Sequence, residues 1–261
     1  MTDEIWADRL AAALADADVD WLRPTGRPSG TEGQVRWYAG VPGFAPFNLV
    51  VATGRTVDVA DLDRAEQALL ALEPQHRISA RASVESVVGP WVLERGYAYA
   101  GSAPALVLEG DAFDACLAAP LGPPRTQRAL PSDTVAFTDA AAGIFGLPAE
   151  RIRVLCPPSL AEDPRASLRF ALVDDVVVGT AQGWTEDGAI GVFNVAVVPE
   201  LRGKGLGSEL TAAVVADGAA AGGTWAYLQS SDEGLHVYER LGFRTVDHWC
   251  TWMPKGTDEP W

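Results

Sequence analysis

Between an apolar run, Ile190 to Val197, and a helical pattern, Gly205 to Ala221, stands the segment Val198-Pro199-Glu200-Leu201-Arg202-Gly203-Lys204-Gly205-Leu206-Gly207-Ser208. It restricts the fold more than any other stretch of the chain. Glycines at alternate positions let backbone N–H groups approach an anion without side-chain interference. The helix that follows offers unpaired donors and the positive end of its dipole, and Arg202 and Lys204 add charge. This is the physics of a pyrophosphate cradle set between a strand and a helix; the bland alternative is a glycine-rich turn with no ligand. Phosphate loops of other design do not fit. GxxxxGK[ST] is absent because Lys204 precedes Gly205, and Gly203-x-Gly205 is followed by Ser208 where a dinucleotide loop needs its third glycine.

The surroundings of this loop read as a mixed α/β chain. A helix near Thr134 to Phe145 precedes a strand at Leu168 to Val173. Asp174-Asp175 turns it into Val176 to Trp184, and Thr185 to Gly188 turns that into Ile190 to Val197, an antiparallel meander. The helix after the cradle has an inward stripe of Leu206, Leu210, Ala213 and Val214 and ends at Gly222-Gly223. A right-handed crossover then places Thr224 to Leu228 parallel to Ile190 to Val197. Upstream, Thr2 can cap a helix whose Ile5, Trp6, Leu10 and Leu14 share a face. A second helix is expected over Asp61 to Leu72, with strands at Phe47 to Ala52 and Ala105 to Leu108. The Pro-rich segment Ala118 to Pro131 reads as a linker.

Composition narrows the partners. With 48% apolar residues in 261, the chain can bury a substantial core. No run approaches the roughly 20 apolar residues of a membrane helix, and MTDEIWADRL lacks the order of a signal peptide, so a soluble, cytoplasmic protein is expected. A formal charge of −15 disfavours nucleic acid and anionic membranes and weakly favours a cationic or amine substrate. Cys116, Cys156 and Cys250 stand far apart without metal-ligand spacing, which reads as buried thiols and no metal. Trp184, Trp225, Trp249 and Trp252 fall on expected strands and read as core.

The chain also repeats itself. Phe47-Asn48-Leu49-Val50-Val51 matches Phe193-Asn194-Val195-Ala196-Val197, and Gly96-Tyr97 matches Gly242-Phe243; both offsets are 146 (193 minus 47, 242 minus 96). The same offset sets Thr56-Val57-Asp58-Val59-Ala60-Asp61 opposite Arg202 to Gly207. Both basic residues and all three glycines are lost there, and Asp58 and Asp61 bring carboxylates where a pyrophosphate needs donors. Val92 stands opposite Tyr238. Only an apolar framework persists, including Leu49, Val51, Leu62, Leu69, Leu72 and Trp91.

Arg202, Gly205 and Gly207 satisfy Arg/Gln-x-x-Gly-x-Gly/Ala opening a helix after a strand. Leu235-His236-Val237-Tyr238-Glu239-Arg240-Leu241-Gly242-Phe243 supplies a tyrosine-bearing helix followed by Gly-Phe. In these motifs the sequence resembles the GNAT superfamily of acyltransferases, over roughly Leu168 to Trp252. The resemblance implies a GNAT fold in the C-terminal half and a degenerate GNAT-like N-terminal half, with domains 1–117 and 132–261 and a linker 118–131. It further implies acetyl-CoA as co-substrate, its pantetheine arm along the backbone of Val195, Ala196 and Val197. The pyrophosphate would lie on the amides of Arg202, Gly203, Lys204, Gly205, Leu206, Gly207 and Ser208, with the thioester where the two parallel strands splay apart. An amine would attack the thioester directly, the oxyanion held by the backbone N–H of Val195 or Val197, and Tyr238 would protonate the departing sulfur.

A general base is not evident. Asn194 lies on the key strand but cannot take a proton; Ser231, Asp232 and Glu233 read better as a helix cap; His236 faces away from Tyr238; His248 could line a substrate pocket. Tyr238 itself could be a packed helix tyrosine. The two functions in contention are N-acetyl transfer to a primary amine and a non-catalytic acyl-CoA-binding regulatory module. Either is compatible with a monomer or a homodimer.

Overall fold

The computed structural model describes residues 1–22, 26–119, 125–174 and 176–257. The chain divides into two compact units, Met1–Ala105 with Val246–Trp261, and Leu106–Thr245.

In the first unit, strands β1 (Ser29–Glu32), β2 (Val35–Ala39) and β3 (Asn48–Ala52) form an antiparallel meander. Helix α2 (Val59–Leu70) then crosses over to β4 (Arg77–Arg81), parallel to β3. Helix α3 (Glu85–Glu94) leads into β5 (Tyr97–Leu108), whose residues from Leu106 onward belong to the second unit. Val50, Leu62, Leu69, Ile78, Val88 and Val92 form the centre of the core. The chain's final strand joins this unit and pairs antiparallel with β4, from Trp252↔Ile78 to Trp249↔Arg81. Helix α1 (Asp3–Leu22) buries Trp6, Leu10 and Leu14, whereas Ile5 is exposed, because it sits about 100° around the helix from the row that packs. Leu72 also lies in solvent, beyond the end of α2.

The second unit opens with the end of β5 and α4 (Gly110–Ala118), then β6 (Thr126–Arg128), α5 (Thr134–Phe145) and two short helices, α6 (Ala149–Ile152) and α7 (Pro158–Glu162). The expected meander follows as β7 (Ala166–Val173), β8 (Val176–Glu186) and β9 (Ala189–Val197). Then come α8 (Leu206–Ala220), β10 (Trp225–Gln229), α9 (Asp232–Arg240) and the final strand, β11 (Arg244–Pro254). Of the turn expected between β7 and β8, Asp174 has φ +51° and Asp175 lies outside the described residues. The strand order is β10-β9-β8-β7-β6, with β10 parallel to β9 as the crossover rule demands. Helix α8 packs on one face of this sheet: a Cβ on Gly179 or Gly183 would run into its Leu210 or Val214. Helix α5 packs on β8 and β9, and its Phe137 meets Phe170 of β7.

The structural units differ from the segments 1–117 and 132–261 that the sequence suggests. Leu106, Leu108, Phe113 and Cys116 are core residues of the second unit, and β11 serves the first. Of the expected linker Ala118–Pro131, residues 120–124 lie outside the described residues. The remainder includes the end of α4 and β6, which pairs with β7 from Thr126↔Ala171 to Arg128↔Arg169. Flanking prolines do not prevent this, since an outermost strand leaves one set of N–H groups unused. The offset of 146 carries over to the elements. Added to the bounds of α3 and β5 it gives 231–240 and 243–254, against Asp232–Arg240 for α9 and Arg244–Pro254 for β11. All three cysteines are free and buried, and the four strand tryptophans are at most 4% exposed. No helix among the described residues is long and apolar enough to cross a membrane.

Candidate active site

The cradle lies wholly in the second unit. After β9 the chain makes a 3-10 turn, Pro199–Leu201, and enters α8 through two left-handed glycines, Gly203 at φ +75° and Gly205 at φ +83°. A Cβ on Gly203 would meet nothing within 4 Å, and one on Gly205 only the Arg125 guanidinium at 3.6 Å, so glycine is needed there for its backbone angle rather than for space. Gly207 is helical with open surroundings and tolerates alanine on both counts. Gly205 is the N-cap of α8 and supplies no side-chain cap, which leaves the first-turn N–H groups of Leu206, Gly207 and Ser208 pointing outward from a positive helix end.

Arg202 donates through Nε to the carbonyl of Val197 at 3.2 Å and lies 3.5 Å from the Glu233 carboxylate, holding the loop back on its strand. Sequence reading missed Arg125. Its Nε bonds both Glu209 carboxylate oxygens, at 3.1 and 3.0 Å, and its Nη2 donates to the carbonyl of Lys204 at 3.1 Å. It stands in the Pro-rich stretch taken for a linker, far from Lys204 along the chain, next to the start of β6, and its carbonyl accepts from the Leu172 N–H at 3.2 Å.

On the strand side, β9 and β10 pair from Trp225↔Ala189 to Tyr227↔Gly191, whereas β9 runs on to Val197. The opposite edge of β9 stays bonded to β8, with Thr180↔Ala196 and Gly179↔Val197. Val195, Ala196 and Val197 thus lie past the point where the parallel pair opens. The first unit is different: Leu49, Val50 and Val51, the offset counterparts of these three, pair with Arg77, Ile78 and Ser79. The carboxylate of Asp58 caps α2 by accepting from the Ala60 N–H at 2.9 Å. A zipped strand and a carboxylate-capped helix replace the open strand and the bare helix end.

Tyr238 lies on α9, whose N-terminus is capped by Ser231 accepting from Gly234. The ring is buried, packs edge-on to Phe243 at 6.0 Å, and burial pushes its hydroxyl up to about 12, so it holds its proton at neutral pH. Ser231, Asp232, Glu233 and His236 are all exposed. His248 is exposed and belongs to the first unit. No group of three or more His, Cys, Asp or Glu side chains among the described residues is placed to hold a metal.

These features define an α/β protein whose second unit carries an open strand edge beside a bare helix end. Residues 165–245 match the family model of the acetyltransferase (GNAT) domain. Among solved structures, a GCN5-related N-acetyltransferase from Kribbella flavida is 21% identical, aligned over 94% of this chain and 96% of that one, with a TM-score of 0.67. A GCN5-related N-acetyltransferase from Sphaerobacter thermophilus is 19% identical over 83% and 76%, at 0.57. A tandem GNAT protein from the clavulanic acid biosynthesis pathway is 14% identical over 86% and 79%, at 0.55. The GNAT-type fold therefore extends across most of the chain. No curated protein sequence matches.

Proposed function

We propose that this protein is a cytoplasmic N-acetyltransferase that passes an acetyl group from acetyl-CoA to the primary amine of a small molecule by direct attack. The observation that carries this reading is the succession of an opened β9, a left-handed glycine loop and an uncapped α8. Pantetheine amides lie along Val195 to Val197, and the pyrophosphate lies on the amides of Arg202 to Ser208 with Arg202 and Lys204 beside it. Tyr238 donates its proton to the leaving thiolate, a role that suits a phenol kept neutral by burial. The first unit serves as a GNAT-like partner that binds no CoA. The neighbour described as a tandem GNAT protein supports a two-part reading.

Calorimetry with acetyl-CoA tests the site. Gly205→Glu is expected to abolish binding, because it sets a carboxylate against the phosphate and a Cβ at φ +83°. Gly205→Ala, which strains the loop without adding charge, is expected to bind more weakly yet measurably. Unchanged affinity in a folded Gly205→Glu variant would remove the assignment. CoA release with a panel of primary amines then separates a transferase from a binding module.

A further inference from the structure

Two side chains where β9 parts from β10 are poorly explained by packing. Asn194 has φ +52° in the middle of a strand; the other described non-glycine residues with positive φ, Asp174 and Asp187, sit in hairpin turns. The register slips here. Gln182 faces Phe193 and Thr180 faces Ala196, so Asn194 and Val195 together stand opposite Ala181 as a bulge. The Asn194 carbonyl accepts from Thr180 Oγ1 at 3.2 Å, and its Nδ2 donates to Gln182 Oε1 at 2.9 Å. Gln182 is 3% exposed, and its Nε2 has no hydrogen-bond partner among the described residues. Turning the amides over does not cure this. With both amides reversed Gln182 becomes the donor and its Oε1 takes the unpartnered buried place, so one buried polar atom of Gln182 is left over either way. A buried polar atom left over is a cost that folding alone does not return.

The first unit shows the same residue without the anomaly. Asn48, at the offset of 146, has φ −116°. Its Oδ1 accepts from the Gly40 N–H at 2.8 Å, and its Nδ2 donates to the carbonyls of Val41 and Phe44 at 2.8 and 3.1 Å. Where the parallel strands are zipped the asparagine is saturated and extended. Where they part it is left-handed and backed by an amide with one buried atom left over.

We propose that Asn194 is a catalytic residue that donates a side-chain N–H to the thioester carbonyl oxygen, with Gln182 behind it as its positioning residue. The proposal rests on acyl-CoA lying along Val195 to Val197, which brings the thioester to the bulge. Asn194 is half-buried and open to a ligand, and a neutral amide suits a carbonyl that gains charge only transiently. As the amine nitrogen bonds to the thioester carbon, the C=O π pair moves onto the oxygen facing Asn194. The pair returns as the C–S bond breaks, the sulfur takes the Tyr238 proton, and the proton shed by the amine replaces it through solvent. The bulge places a donor for the oxyanion at the cost of local backbone strain.

Affinities of the full chain for acetyl-CoA, CoA and S-ethyl-CoA, the thioether without a carbonyl, decide the matter. Wild type is expected to prefer acetyl-CoA over the thioether by roughly fivefold, the worth of one neutral hydrogen bond. Asn194→Gly, which accepts the left-handed angle, and Gln182→Leu, which removes the orphan amide, are expected to erase that preference while Tm holds or rises and CoA affinity is unchanged. A wild type without the preference, or variants that keep it, would overturn the proposal. So would variants that merely lose Tm at an unaltered ratio, since that is the behaviour of a structural pair. A wild type that binds none of the three overturns the acyl-CoA reading and the proposal with it.

Discussion

In the proposed reaction Tyr238 acts through one buried hydroxyl. Tyr238→Phe keeps the ring that packs on Phe243 and removes only the proton donor. A fall in kcat of roughly 10- to 1000-fold with acetyl-CoA affinity intact is therefore expected in steady-state assays. Equal rates would leave the tyrosine a packing residue. Its place was implied by the family resemblance, through the helix that the Gly-Phe pair follows. The sequence placed Gly203 and Gly205 in the loop but gave the wrong reason for them: they supply positive φ, not room, because a Cβ at either would be accommodated. Asn194 was legible only as a residue unable to take a proton. Its left-handed backbone arises from a register slip against β8, a pairing between strands that no local pattern encodes.

Strands and helices follow their periodicities closely, and α5 spans Thr134–Phe145 as expected. What the pattern does not carry is which distant side chain braces an element. Glu209 stands in the first turn of α8, directly after the residues with the bare N–H groups, and its carboxylate would repel a pyrophosphate there. The Arg125 guanidinium spans both its oxygens and also holds the Lys204 carbonyl. Arg125→Ala is expected to weaken acetyl-CoA binding by about 10-fold, of the order of one charge-assisted contact, and adding Glu209→Gln should restore most of the loss. Calorimetry on the single and double variants measures this. No recovery in the double variant would mean that Arg125 acts only by bracing the loop. The contrast between β9 and β3 belongs to the same scale: similar apolar strands, one opened and one zipped, differ through partners elsewhere in the chain.

At the scale of the molecule, a cut in the Pro-rich stretch, which the sequence invites, would sever a compact unit. A fragment from residue 130 onward lacks Leu106, Leu108, Phe113 and Cys116, core residues of the second unit, and keeps a β11 without β4 to pair with. It is expected to be insoluble or inactive, while the intact chain takes up one acetyl-CoA; full activity in the fragment, or two equivalents per chain by titration, would refute this division of labour. The offset of 146 was visible in two short anchors, but the place of the last strand was not, because β-pairing across a whole chain leaves no mark in composition. That last strand also imposes an order on synthesis. The second unit is contiguous from Leu106 to Thr245 and can close as soon as it has left the ribosome, whereas the first, though translated earliest, must wait for residues after Val246. Until then the backbone of Ile78 to Arg81 lacks its β11 partner, an open strand edge on a nascent chain and the point at which such a protein is most exposed to pairing with the wrong neighbour.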